Sequence, residues 1–316
     1  MPFQTVTNAV QAPGMAGDFA SANPRATLLS SVDYNSAGFR AGPNGLTIGL
    51  FAWLDPATYT FASNSGAGAP NGFVHREAQG LITTYLTEYG YTIPAGFGCS
   101  CIFDSGDFFV VNNGTTEAAP GMKAYANNTT GVATFAATGS PTTSGVSAST
   151  ATIAAETGAF TGSIADNVLT VTAVGAGLVV PGSVIAGSGI ATGTMITAQL
   201  TSTASGGALS STGTYSVTPR DQTFASGSIT SAYGLFAPGT LASGAFAVGQ
   251  TLSGSGVTTG TYITAASATA GDWIVTPSQT ANSETITGYS NTETSWYCRS
   301  FGAVGDVVKI SSRAMG

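Results

Sequence analysis

The sequence contains one histidine, His75, so any proton transfer or nucleophile activation that needs an imidazole must pass through it. A Ser–His–Asp triad also needs a serine on a sharp strand-to-helix elbow, and no G-x-S-x-G stretch is present. A lone histidine is more often an ordinary hydrogen-bonding residue than a catalyst. Asp104 and Asp107 in DSGD have the chemistry of Ca²⁺ ligands, but the segment lacks the spaced oxygens of an EF-hand loop and reads as a turn between two strands. Glu77, Asp104, Asp107 and Glu117 are the acids to consider for a glycosidase pair, and no pattern singles out two of them. Cys99, Cys101 and Cys298 with His75 form a nominal zinc set, although C-x-C is tighter than the usual zinc clasp. These readings predict no catalytic residue, no cofactor and no metal site.

A glycine loop that cradles phosphate is the remaining chemical possibility. GSGIATGTMIT (187–197) has the glycines, but such a loop must lie between a strand and a helix whose N-terminus faces the anion. Here the β-rich TMITAQL follows instead, with no Lys-Ser/Thr, so the glycines read as hairpin residues. The stretch also recurs as GSGVTTGTYIT (254–264). Aligning 178–197 with 245–264 keeps Gly182/Gly249, Gly187/Gly254, Gly193/Gly260 and Ile196/Ile263 in register, and YSVTP (215–219) matches WIVTP (273–277). Register that survives across turns and strands marks two copies of one β module.

Composition says what holds such residues in place. Charged residues make up 7% of the 316-residue chain while hydrophobic ones reach 43%, many in β-branched runs such as VLTVTAV (168–174). Such runs bury surface, so the glycine and serine content does not mean disorder and a folded β protein is expected. A net charge of −7 with eight Lys plus Arg leaves no basic face for nucleic acid or anionic lipid, and neither is expected as a partner. The opening MPFQTVTNAVQAPG lacks the basic and apolar regions of a secretion signal, and no apolar run is long enough to span a bilayer. Three cysteines do not make a disulfide framework, and Cys99 and Cys101 would share one strand face, so buried free thiols are expected.

Along the chain, residues 1–30 are poor in core residues and carry Pro13 and Pro24, which reads as an extended arm. LTIGLFAWL (46–54), LITTYLTEYGYTI (81–93) and CSCIFDSGDFFVV (99–111) are strand-like runs separated by turn residues. A short helix over 72–85 is compatible with His75 to Gln79 and opposed by Gly80, Ile82, Thr83 and Thr84. Near Gly139 charge almost vanishes, and past Gly288 it returns. The expected organisation is therefore an arm at 1–30, the first part of a β domain at 31–138, an inserted pair of β repeats at 139–288, and closing strands of the first domain at 289–316.

AGDFASANPRATLL (16–29), AGPNGLTIGLFAWLDP (41–56), GAGAPNGFVHREAQGLITTYL (66–86), DSGDFFVVNNGTT (104–116) and PGMKAYANNTTGVATFA (120–136) resemble the tailed-phage structural cement proteins called Gp24-like. The insert is similar to a β repeat grafted into many phage virion proteins, fibres included. The resemblance implies an all-β fold, a β-sandwich or jelly-roll-like body interrupted by two β-repeat modules, with an extended N-terminal arm. It implies no enzyme activity but a capsid decoration protein, assembled in the host cytoplasm and bound to the major capsid protein on the virion exterior, where it bridges neighbouring subunits as a dimer or trimer. The resemblance covers about residues 1–138 and the closing strands around 292–316, and Phe3, Pro13, Asp18, Phe19, Asn23, Pro24, Arg25, Phe73, His75 and Arg76 are the candidate capsid contacts. The alternative is a tail fibre or receptor-binding protein with glycan-binding repeats.

Overall fold

The computed structural model describes residues 14–29, 38–55, 59–76, 91–140, 145–203, 211–218, 222–242 and 244–313. Every regular element among them is a strand. The first are short: β1 (Ala26–Thr27), β2 (Arg40–Ala41), β3 (Leu46–Thr47), β4 (Phe51–Leu54), β5 (Phe61–Ser63) and β6 (Gly72–Val74). They are followed by β7 (Thr92–Ile93), β8 (Ile102–Ser105), β9 (Asp107–Val111), β10 (Lys123–Asn127) and β11 (Ala133–Ala136). Two long strands then bracket shorter ones in β12 (Val146–Asp166), β13 (Val168–Ala176), β14 (Val184–Ala186), β15 (Met195–Gln199), β16 (Gly213–Thr218) and β17 (Gln222–Ala237). The chain continues through β18 (Thr240–Leu241), β19 (Thr251–Ser253), β20 (Tyr262–Ala266), β21 (Trp273–Thr276) and β22 (Ala281–Tyr289). It ends in β23 (Asn291–Cys298) and β24 (Val307–Ser311).

Two sheets form a sandwich. One has the order β1-β8-β6-β4-β5-β2, the other β11-β10-β23-β24-β9. Phe51, Trp53, Phe73 and Phe103 of the first face Phe108, Val110, Ala124, Phe135, Trp296 and Ile310 of the second in one core. The alternation of β9, whose Phe108 and Val110 point inward, is what half-buried strands require. Ala52, Val74 and Ile102 on the other face of the first sheet are covered by Leu46, Ile48, Ile93, Cys99 and Cys101. Cys99, Cys101 and Cys298 are buried free thiols, as expected, and Cys298 belongs to a different core from the other two. Cys99 and Cys101 do not share a strand face, however, because β8 begins only at Ile102. Of the segment open to a helix, Gly72–Val74 is strand, and residues 77–90 lie outside the described residues. DSGD is the expected turn, and it also joins the two sheets: β8 ends at Ser105, Gly106 takes φ 144, and β9 begins at Asp107.

Between β11 and β23 the chain leaves the sandwich and builds the two repeats. Strands β12, β13, β16, β15, β14 and β17 pair in a closed ring, and so do β12, β17, β21, β20, β19 and β22. Strands β12 and β17, of 21 and 16 residues, run through both rings and pair with each other from Thr152 to Asp166. The first part of β12 pairs with β22 and the last part with β13. Within the part paired with β22 the register slips at Ala148–Ala151, where Thr150 takes φ 59, a bulge that bends the strand locally. Ile185, Ile196, Val217 and Ile229 fill one barrel, and their repeat equivalents Leu252, Ile263, Val275 and Ile286 fill the other.

The doubled glycine stretch makes the same turn twice. Gly193 and Gly260 have φ 84 and 87, a region that glycine enters without strain. The wholly buried hydroxyls of Thr194 and Thr261 donate to the Ala191 and Thr258 carbonyls at 2.7 Å. A glutamine from the end of each repeat locks the turn, Gln222 Oε1 accepting from Ala191 N at 3.0 Å and Gln279 Oε1 from Thr258 N at 2.7 Å.

Candidate capsid-contact surface

Most of the candidate contacts lie on residues 14–29, which form a strap fastened to their own sandwich. Gly17 and Ala20 donate to the carbonyls of Phe109 and Asp107 at 2.8 and 2.9 Å, and Phe109 donates back to Asp18. Ala26–Thr27 then pair with β8, and Leu28 donates to the Ile102 carbonyl. The strap thus runs from β9, at the edge of one sheet, to β8 in the other, and satisfies an edge that would otherwise offer unpaired backbone groups.

Side chains fix it. Phe19 stacks on His75 with ring centres 3.7 Å apart, and the Arg25 guanidinium lies 3.7 Å from the centre of the Phe19 ring. His75 Nδ1 is 2.7 Å from the Gly17 carbonyl, which can only accept, so this nitrogen carries the proton. Asp18 pairs with Arg76 at 3.6 Å on the surface, a contact worth about 1 kcal/mol or less. Ser21 Oγ and Asn23 Nδ2 both donate to Asp107 Oδ2 at 2.5 Å, and Arg313 reaches the Pro24 carbonyl at 3.3 Å. Burial pushes the Asp107 carboxyl up, but hydrogen bonds from Ser21, Ser311 and Asn23 and the charge of Arg313 outweigh it and hold the group below its ordinary range.

The structure therefore brings Asp18, Phe19, Asn23, Pro24, Arg25, His75 and Arg76 onto one strap and the strand end beneath it. Phe73 does not belong with them: it is wholly buried in the sandwich core, against Phe51 and Phe108, and has no surface to offer a partner. Phe3 and Pro13 lie outside the described residues. Sequence reasoning missed Asp107 as the strap's anchor, because its partners Ser21 and Asn23 stand more than eighty positions away. Outward, residues 22–27 are exposed in an unbroken run, and Leu29 is 85% exposed. Among the described residues no group of three or more His, Cys, Asp or Glu is placed to hold a metal ion.

A β-sandwich that carries a pair of closed barrels, with Asp18, Arg25, Arg76, Asp107 and Arg313 engaged in fastening its own strap, has the build of a structural part of an assembly. Residues 3–179, more than half of the chain, match the family model of the XM1 gp53 minor capsid protein, and the chain belongs to that family. It is a phage capsid structural protein and a component of the virion. The match runs through the strap and β1–β11 into β12 and β13. No curated protein and no solved structure matches the chain.

Proposed function

We propose that the protein decorates the outside of the assembled shell, binding the major capsid protein and bridging neighbouring subunits. The observation that carries this reading is membership of a minor capsid family. The strap supports it: a segment already bonded to its own sandwich loses little conformational entropy when a partner covers its exposed run from Ala22 to Thr27. A ligand that binds only the assembled shell stabilises it by mass action, about 3 to 4 kcal/mol per site at 100 to 1,000 times Kd. The sandwich is the clamp and the barrel pair projects from it, with dimers or trimers forming at the shell, all assembled in the host cytoplasm.

The test adds purified protein to shells that lack it and follows both occupancy and shell melting. Binding in numbers comparable to the major capsid protein, with a raised melting temperature, is the expected result. Arg25→Glu, which reverses an exposed charge on the strap, should weaken binding at least about tenfold, well beyond the about 0.5 to 1 kcal/mol that loss of its contact with the Phe19 ring costs the free protein. A copy number of only a few per virion would instead put the chain in the tail.

A further inference from the structure

A cleft of about 730 Å³ lies between the sandwich and the two barrels. Its sandwich wall is made by Trp53, Asp55, Tyr59, Phe61 and Asn71, on or beside β4 and β5. Its other wall comes from both repeats at matching positions: Pro181 and Val248, Met195 and Tyr262, Thr197 and Thr264. Duplication has thus set the same strand face twice along one side of the cleft. The copies differ in what they present to it, since Tyr262 stands where the first copy has Met195 and Val248 where it has Pro181.

The lining selects a class of ligand. Among the described residues that line it there is no Lys, Arg or His, and Asp55 is the one carboxylate, so an anion would meet repulsion and no counter-charge. It presents aromatic faces, with Phe61 37% exposed, beside groups able to hydrogen-bond. Asn71 Oδ1 accepts from Leu54 N at 2.8 Å, a bond that fixes the side chain and uses its oxygen, not its two N–H donors. Tyr59 takes φ 54, a conformation rare for a tyrosine and one that the surroundings must impose. Burial holds the phenols of Tyr59 and Tyr262 above their ordinary range, so both stay neutral donors. Neutral rings, neutral donors and acceptors, and a volume within the range of small-molecule sites together suit a flat, uncharged, hydroxyl-rich molecule.

We infer that this cleft is a binding site for a neutral oligosaccharide, with Tyr262 and Phe61 as stacking faces and Asn71 as a hydrogen-bonding group. The inference stands apart from the capsid-decoration reading, because it concerns the free chain and a wall the strap does not reach.

The test uses the full chain and calorimetry with maltotriose, cellotriose and N,N′,N″-triacetylchitotriose as neutral probes, and trigalacturonic acid as the anionic control. At least one neutral trisaccharide should bind with Kd below about 1 mM, and the anionic one should not. Tyr262→Met, which installs the first copy's residue, and Asn71→Ala should each weaken that binding at least about tenfold with melting unchanged. Should either variant melt lower, perturbation of the tyrosine and Phe61 spectra by the same sugar in the wild-type chain still decides. The inference is overturned if no neutral sugar binds, if trigalacturonic acid binds as well as the neutral probes, or if a well-folded Tyr262→Met binds sugar as the wild type does.

Discussion

The sandwich and the barrel pair solve one problem in two ways. Both must end sheets without leaving backbone groups unpaired, and the sandwich does so with segments from far along the chain. The strap covers β9 and β8, while β23 and β24, supplied after the insert, fill the sheet between β10 and β9. Each barrel instead closes on strands of the insert alone. Their interiors differ accordingly. The sandwich core is a web of aromatic rings, Phe19, Phe51, Phe73, Phe103 and Phe108, with centres 5.0 to 5.4 Å apart. The barrels are filled mostly by aliphatic side chains and use buried threonines and glutamines to lock their turns. A region closed by remote segments depends on the whole chain being in place, whereas one closed by its own repeats depends chiefly on the repeats.

The sharpest way to break this contrast is Phe108→Ala. The ring touches Phe19, Phe73 and Phe103, so its loss should cost about 3 to 5 kcal/mol. Calorimetry should show the sandwich transition moving down while that of the barrels stays. One merged transition that moves as a whole would show that the two regions do not melt separately.

A smaller effect tests the equivalence of the barrels. Gln222→Ala and Gln279→Ala each remove the acceptor of a turn N–H, and each should destabilise by about 1 to 2 kcal/mol in urea melts. Strongly unequal losses would mean that the copies, alike in register, no longer share the load alike.

The smallest effect concerns acid. Asp107 has its pKa lowered in the folded chain relative to 3.8, so the strap bonds to it contribute stability above that value and lose it as the pH falls below. The sandwich transition should therefore weaken with acid, and Asp107→Asn should flatten that dependence without altering the barrel transition. An acid response that survives the substitution would assign it to another group.

Much of this was legible in the residues themselves. The β-branched runs and scarce charge called for an all-β chain, and strands are what the chain forms. The glycine register across the two copies anticipated paired turns, and Gly193 and Gly260 adopt matching positive φ because the same local backbone problem recurs. Of the candidate contacts, Asp18 to Arg25 share one strap, whereas Phe73, also named as a contact, is wholly buried, because an apolar strand residue does not announce which face it takes.

Local chemistry thus determined the element types, the turns, the buried thiols and the duplication, since each depends on residues a few positions apart. Only the tertiary structure decided that β12 and β17 serve both barrels, that Asp107 anchors a strap from the other end of the domain, and that equivalent residues of two repeats converge on one cleft with Tyr59 and Phe61. Those arrangements rest on pairings between residues tens to hundreds of positions apart, chosen by which faces can be buried together, and no spacing along the chain encodes that choice.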